Sequence, residues 1–131
     1  MFQVTDTLDT TVRHIGDRAA VVVVAGDVDL HTSRLLRVQA MAVVEQGFPH
    51  LVLDLAQVDF VDSTGLSALI VLLQATSRAG GSLRVASVPE RLVRMVTMTG
   101  ISQLLPIHET VADALAALGA DGAADSAVPS A

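Results

Sequence analysis

Two neighbouring hydroxyl side chains, Ser63 and Thr64, are the residues of this sequence whose types and spacing could do chemistry. Asp62 precedes them and Gly65 follows them, between an apolar strand pattern and a long apolar helix pattern. This group suits a helix N-terminus, because Asp or Ser caps unpaired backbone N–H groups and Gly lets another backbone approach closely. Alone, the motif predicts a helix cap, and any further role depends on the elements around it.

The standard catalytic and phosphate-binding motifs are absent from the sequence. Ser63 is not in a G-x-S-x-G elbow, and neither G-x-x-x-x-G-K-[ST] nor G-x-G-x-x-G occurs. The chain has no cysteine, and its four histidines are scattered without an i,i+4 pair: His14, His31, His50 and His108. We therefore expect no catalytic residue, no cofactor and no metal site.

Composition and charge argue against further classes of function. Of the 131 residues, 51% are hydrophobic, which is enough for one domain with a buried core. The net charge of −6 disfavours a phosphate backbone as the partner, and the 2% aromatic content offers no stacking surface for single strands. No apolar run approaches the roughly 20 residues that span a bilayer, and the first residues lack a signal-peptide pattern. We expect a soluble cytoplasmic protein that binds neither nucleic acid nor membrane.

Strand and helix patterns alternate after an initial hairpin. The strand patterns cover residues 10–15, 19–25, 50–55, 82–86 and 104–108. The helix patterns run over about 31–46, 63–79, 89–99 and 109–118. This order predicts a single-domain α/β fold, with a mixed, mostly parallel sheet of four or five strands flanked by about four helices. Ser63 then follows the C-terminal end of a strand, where such sheets usually place functional loops.

The helix after Ser63 is apolar on two sides. The face that we expect in the core carries four apolar residues: Leu66, Leu69, Ile70 and Leu73. Ala68, Val71 and Ala75 lie on the other side, where a lone surface helix would carry charge. Either a second layer of the same protein covers this stripe, or the stripe is a small-residue patch that binds a partner.

With these elements in this order, the sequence resembles the STAS domain of the bacterial anti-sigma factor antagonists. The resemblance covers roughly residues 10–118 and rests on five motifs: Gly26-Asp27-Val28-Asp29 followed by Thr32, Leu51-Val52-Leu53-Asp54-Leu55, Phe60-Val61-Asp62-Ser63-Thr64-Gly65-Leu66, Gly80-Gly81, and Met98-Thr99-Gly100-Ile101. Each motif is weak alone, whereas the order and spacing of all five are specific. Residues 1–9 form a lead outside the resemblance, and the composition of residues 119–131 predicts a mobile tail.

The resemblance implies a binding protein and not an enzyme. Such proteins capture an anti-sigma factor, a serine kinase of the histidine-kinase-like ATPase type, and thereby free a sigma factor. The kinase phosphorylates the first hydroxyl of the D-S-[ST]-G motif, here Ser63 in preference to Thr64, and a serine phosphatase reverses the step. The surface that we expect to bind the partner comprises the implied family residues and the outward helix stripe: Asp29, Thr32, Asp62, Ser63, Thr64, Gly65, Ala68 and Val71.

Two alternatives stay open at this point. The same fold is similar to the small cytosolic subunit of lipid-transport ABC systems, which binds its ATPase constitutively. The intact Asp62-Ser63-Thr64-Gly65 motif favours a phosphorylation switch over this alternative. The second alternative is an enzyme or a nucleotide-binding protein.

Overall fold

A computed structural model describes residues 8–118 as a five-stranded sheet with helices on both faces. The strands are β1 (Asp9–Ile15), β2 (Ala19–Val28), β3 (His50–Val61), β4 (Ser82–Ala86) and β5 (Ile107–His108). The α-helices of this part of the chain are α1 (Ser33–Glu45), α2 (Ser63–Arg78), α3 (Glu90–Met98) and α4 (111–118), and a 3-10 turn forms at Ile101–Gln103. The predicted α/β fold class is confirmed.

The strands lie in the sheet in the order of the chain. β1 pairs antiparallel with β2, and the pairs β2–β3, β3–β4 and β4–β5 are parallel. Each parallel pair is joined by a crossover helix, namely α1, α2 and α3 in turn. The predicted mixed, mostly parallel sheet is therefore confirmed.

Different helices cover the two faces of the sheet. On one face, α1, α2 and α3 pack over the larger core cluster, with Leu36, Leu69 and Leu92 among the buried residues. On the other face, α4 packs Ala114 against side chains of β2, β3 and β4. Cover on both sides fits the apolar runs of residues 19–25 in β2 and 51–53 in β3.

β2 and β3 both extend beyond their predicted ends. The strand predicted at 50–55 continues to Val61, and the strand predicted at 19–25 continues to Val28. The register between them shifts at two places within residues 23–27 of β2, and β3 has one extra residue at each shift, as in a β-bulge. After the second shift Val28 pairs with Val61, so the two strands end side by side.

The helices begin and end near the predicted residues, but the buried face of α2 differs from the prediction. In α1, Leu36, Ala40 and Val43 are buried, whereas Leu35 and Val38 are exposed. In α2, Leu72 is buried together with the predicted Leu66 and Leu69. Ile70 and Leu73, which the pattern also placed in the core, are half-buried, and the buried positions that the pattern left out are Gly65, Ala68, Leu72 and Thr76.

Of the two alternatives for the outward stripe of α2, cover by the same protein is the one that holds for Ala68. This residue is only 2% exposed, whereas Val71 on the same stripe is 39% exposed. The reason is the neighbouring helix, because α1 packs against α2 on this side. Part of the stripe is therefore covered by the protein itself, and part of it is open.

The ends of the described chain also differ from the prediction. The last strand is only Ile107–His108, because the chain before it forms a 3-10 turn. Leu8, predicted to lie in the N-terminal lead, is buried in the core just before β1. Residues 1–7 and the predicted tail, 119–131, lie outside the described residues. Within residues 8–118, every helix is too short or too polar to traverse a lipid bilayer.

Candidate functional site

Two turns lie side by side where β2 and β3 end, the Asp29 turn (residues 29–32) and the Asp62 turn (residues 62–65). Val28 and Val61, the last residues of the two strands, are paired in the sheet. The backbone N–H of Asp62 donates to the carbonyl of Val28 at 3.1 Å. The fold therefore brings together six of the eight predicted site residues: Asp29, Thr32, Asp62, Ser63, Thr64 and Gly65.

Asp62 is the N-cap residue of α2 and has the extended backbone typical of that position. Its Oδ1 accepts hydrogen bonds from the backbone N–H groups of Thr64 at 2.9 Å and of Gly65 at 3.1 Å. The hydroxyl of Thr64 donates to the same oxygen. The hydrogen bond from the Thr64 hydroxyl is the main reason that the pKa of Asp62 is lowered. Desolvation raises this pKa, but the backbone N–H groups of Gly65, Thr64 and Leu30 lower it further, and the net shift is downward. Asp62 is therefore anionic at neutral pH.

The two hydroxyl groups of the motif have different environments. Thr64 is half-buried, and its hydroxyl is held by the carboxylate of Asp62. Ser63 is the first residue of α2 and is exposed. Within the described chain its side chain has no hydrogen-bond partner, although its backbone carbonyl accepts from the hydroxyl of Ser67 at 3.1 Å. Ser63 Oγ is thus the accessible hydroxyl of the pair.

Gly65 lies where the first turn of α2 meets the ends of β2 and β3. A Cβ atom at this position would lie 2.8 Å from a methyl carbon of Val28, 2.8 Å from one of Val61 and 2.9 Å from the carbonyl oxygen of Val28. These distances are shorter than van der Waals contact, so only glycine fits without a shift of the backbone. Gly65 therefore sets how closely α2 approaches the sheet, and with it the position of Ser63.

Asp29 and Thr32 order the other turn through mutual hydrogen bonds. Oδ1 of Asp29 accepts from the backbone N–H groups of His31 at 2.9 Å and of Thr32 at 3.1 Å. The hydroxyl of Thr32 accepts from the N–H of Asp29 at 3.0 Å and donates to the carbonyl of Asp27 at 2.6 Å. These hydrogen bonds of the buried Thr32 side chain connect the two ends of the turn. Asp29 is half-buried, and Leu30 is exposed at the surface.

A groove between α1 and α2 begins at the two turns. Its first part is a hollow of about 360 Å³, which the buried Ala68 lines together with Leu30, Arg34, Thr64 and Val71. Its second part is a hollow of about 440 Å³ that continues along α1 and is lined by Val38, Met41 and Glu45. Both hollows share Arg34, Arg37 and Val71, so we treat them as one feature, the α1–α2 groove. The two remaining predicted site residues, Ala68 and Val71, both line it.

The histidines do not converge on a site. Within residues 8–118 no group of three or more His, Asp or Glu side chains is placed to hold a metal ion. The ring of His50 shares a hydrogen bond with the hydroxyl of Ser82, and Nε2 of His108 accepts from the guanidinium of Arg84 at 3.1 Å. These two rings therefore bond to neighbouring strands of the sheet.

Sequence reasoning missed the surface residues that flank the turns. Leu30 is 68% exposed, and Phe60 is 41% exposed beside a hollow of about 130 Å³ between the end of β3 and the start of α3. Arg34 and Arg37, which line the α1–α2 groove, were not singled out either. The spacing of Arg34, Arg37, Val38 and Met41 is that of one helix stripe, and this was the signal available in the sequence.

The match to known proteins agrees with this architecture. The family model described as STAS domain matches residues 10–114, and the chain belongs to this family. The chain is 33% identical over 84 residues to the anti-sigma-B factor antagonist of Bacillus subtilis, a match that covers 64% of this chain and 76% of that protein. It is 30% identical over 99 residues to the anti-sigma F factor antagonist of Paenibacillus polymyxa, covering 75% and 85% of the two chains.

A solved structure shows the same similarity in three dimensions. The crystal structure of an anti-sigma factor antagonist from Mycobacterium paratuberculosis superposes with a TM-score of 0.77 at 31% identity. The superposition covers 86% of this chain and 95% of that one. The resemblance expected from the five sequence motifs is therefore confirmed.

Proposed function

We propose that this protein is an anti-sigma factor antagonist, which binds an anti-sigma factor and thereby frees a sigma factor. Relatives that align with most of the STAS domain carry that name, and such regulators are binding proteins and not enzymes. The two adjacent turns and the α1–α2 groove supply a continuous surface for a protein partner. The observation that carries the proposal is the exposed hydroxyl of Ser63 at the N-terminus of α2, next to Thr64 at the mouth of the groove.

Ser63 is, in this proposal, the residue through which binding is controlled. The partner is a serine kinase of the histidine-kinase-like ATPase type that phosphorylates Ser63, and a serine phosphatase removes the phosphate. A kinase needs an acceptor hydroxyl that it can reach, and Ser63 is exposed. Thr64 is a poorer acceptor, because its hydroxyl is bound to the carboxylate of Asp62 and would have to break that bond first.

Charge explains how a phosphate on Ser63 would release the partner. Phosphorylation adds about −1.5 to −2 charges at neutral pH. Asp62, already anionic, occupies the backbone N–H groups of Thr64 and Gly65, so these donors are not free to neutralise the phosphate. Binding would bury this added charge next to Asp62 against the partner, which is unfavourable. A cost of about 1.4 kcal/mol in binding free energy is enough to lower the affinity about tenfold.

The test starts with the intact mass of the protein purified from its own cells, followed by mapping of any phosphate. In vitro, each purified serine-kinase anti-sigma factor of the same genome is incubated with the wild type and ATP. We expect one phosphate on the wild type, none on Ser63→Ala and one on Thr64→Val, the matched control. We also expect Ser63→Ala to bind its kinase constitutively and Ser63→Asp to bind poorly. Equal binding by these two variants would contradict the switch.

The alternative of a constitutive ABC-system subunit is not favoured by the named relatives, which are anti-sigma factor antagonists. The same experiment separates the two. The constitutive subunit would be favoured by two results together. Ser63 would carry no phosphate under any growth condition, and an ATPase partner would bind Ser63→Asp as tightly as the wild type. ATP hydrolysis by the purified protein that Ser63→Ala abolishes would instead favour an enzyme.

A further inference from the structure

The α1–α2 groove has the dimensions of a site for one helix. α1 contributes residues at helical spacing, with positions 34, 37, 38, 41 and 45 along the groove, and α2 contributes 64, 67, 68 and 71. Both helices connect parallel strands of the same sheet, so they run in the same direction away from the two turns. At 1.5 Å per residue the α1 side of the groove is about 16 Å long, which corresponds to about three turns of a docked helix.

The lining of the groove combines apolar surface with positive charge. Val38 and Val71 are 56% and 39% exposed, which leaves apolar area for a partner to cover. Arg34 and Arg37 line both hollows, and within residues 8–118 neither guanidinium has a carboxylate within 4.0 Å. Glu45 is the single acid among the lining residues and lies at the end farthest from the turns. The groove is thus a positive strip on a chain whose net charge is −6.

We propose that the α1–α2 groove binds an amphipathic helix of the anti-sigma factor. This helix is about three turns long and has acidic side chains along the edge of its apolar face. This inference rests on the proposed function and adds the chemistry of the bound segment. Apolar side chains of that helix would cover Val38 and Val71, as in other helix-in-groove complexes. Its carboxylates would pair with Arg34 and Arg37, because the planar guanidinium binds a carboxylate through two parallel hydrogen bonds.

This arrangement also gives the phosphate of Ser63 a defined target. Thr64, the residue after Ser63, lines the mouth of the groove, so a phosphate on Ser63 lies beside the end of the bound helix. The phosphate then repels the same carboxylates that the two arginines attract. Since salt screens exposed charges, we expect the loss of affinity caused by Ser63→Asp to become smaller as the salt concentration rises.

Charge reversal in the groove tests the proposal. The unphosphorylated protein is titrated with each purified serine-kinase anti-sigma factor of the same genome at low and at high salt. For the factor that binds the wild type, we expect the double variant Arg34→Glu/Arg37→Glu to lose at least about tenfold in affinity at low salt and less at high salt. Arg94→Glu is the matched control, because its side chain is exposed on α3, outside the groove, and we expect unchanged binding.

Cross-linking identifies the bound segment, since the chain has no cysteine and an introduced thiol is unique. A photoreactive maleimide on Val38→Cys should join the protein to an acidic amphipathic helix of the factor, and the same reagent on Thr97→Cys of α3 should not. Unchanged affinity of the double arginine variant would overturn the groove proposal while the proposed function stands. A cross-link to a second copy of this chain would also overturn it. If no anti-sigma factor binds the wild type, the proposed function itself fails.

Discussion

The backbone N–H of Asp62 donates to the carbonyl of Val28 at 3.1 Å, and this bond joins the two turns of the candidate site. Val28 is the last residue of β2, and Asp62 is the first residue after β3. The cap of α2 is therefore positioned by the pairing of two strands and not by the helix alone. For this reason, changes in either turn should alter both the stability of the domain and the placement of Ser63.

The first prediction concerns the charge on Asp62. Asp62→Ala removes an N-cap, so we expect a loss of about 1 kcal/mol in the free energy of unfolding at neutral pH. The pKa of Asp62 is lowered in the folded protein, so its carboxylate stabilises the fold above the unfolded pKa of about 3.9. This contribution disappears as the pH falls through the lower folded pKa. Urea unfolding should therefore show a difference between wild type and Asp62→Ala that shrinks below about pH 4.

Asp62→Asn is the control for this measurement, because it keeps a capping side chain but cannot ionise. The difference in unfolding free energy between Asp62→Asn and Asp62→Ala should therefore not depend on pH, because neither variant has an ionisable group at position 62. A difference between wild type and Asp62→Ala that stays constant from neutral to acidic pH would contradict the assignment of the lowered pKa.

The second prediction concerns the close approach at Gly65. In Gly65→Ala the new methyl group would meet Val28 and Val61 within 2.8 Å, so α2 must move away from the sheet. We expect a loss of about 1 to 3 kcal/mol in the free energy of unfolding, which is typical of overpacking. The rate of phosphate incorporation at Ser63 should also fall, because the turn is displaced. Ser77→Ala, at an exposed position of the same helix, is the control and should change neither the free energy of unfolding nor the rate of phosphate incorporation. If Gly65→Ala were as stable as the wild type, the close approach at Gly65 would not contribute to stability.

The third prediction concerns the buried hydroxyl of Thr32. Thr32→Val keeps the shape of the side chain but removes the partner of the Asp27 carbonyl and of the Asp29 N–H. Since unsatisfied buried polar groups are costly, we expect a loss of about 1 to 3 kcal/mol by denaturant unfolding. Thr32→Ser should recover most of it, and Thr97→Val at an exposed position of α3 should be close to neutral. Equal stability of Thr32→Val and Thr97→Val would argue against this role.

The fourth prediction concerns the open part of the α2 stripe. Val71 is exposed in the groove, so Val71→Asp should leave the melting temperature nearly unchanged. Binding of the anti-sigma factor should weaken by at least about tenfold, because the change removes apolar contact and adds negative charge beside an acidic helix. Ser77→Asp on the same helix is the control for charge alone. Cooperative unfolding of Val71→Asp near room temperature would show that Val71 belongs to the core instead.

The order of the elements could be predicted from the sequence because each element has a clear local signal. The run from Ala19 to Ala25 is apolar at every position, as a doubly covered strand requires. Gly100, with φ of 80°, ends α3 where the sequence predicts a stop. The cap at Asp62 was also predictable, since the residues that it bonds lie two and three positions away.

The burial of single helix residues could not be predicted in the same way, because it depends on neighbours that are distant in sequence. Ala68 has the apolar character of an outward patch, and only the packing of α1 covers it. The exposure of Leu35 and Val38 likewise depends on where α1 lies on the sheet. The groove, which needs both helices, is therefore a property of tertiary structure, although Arg34 and Arg37 were present in the sequence at helical spacing.

The two register shifts between β2 and β3 make the site sensitive to chain length. β3 uses two more residues than β2 to reach the paired positions Val28 and Val61. A deletion of one residue from 55–59 that leaves both bulges in place would move the rest of β3 by one position, so that Val61 takes the outward place of Phe60. Asp62 would then take the buried place of Val61 beside Val28, and the cap of α2 would be lost. Surface substitutions along this segment should thus be tolerated far better than a single-residue insertion or deletion.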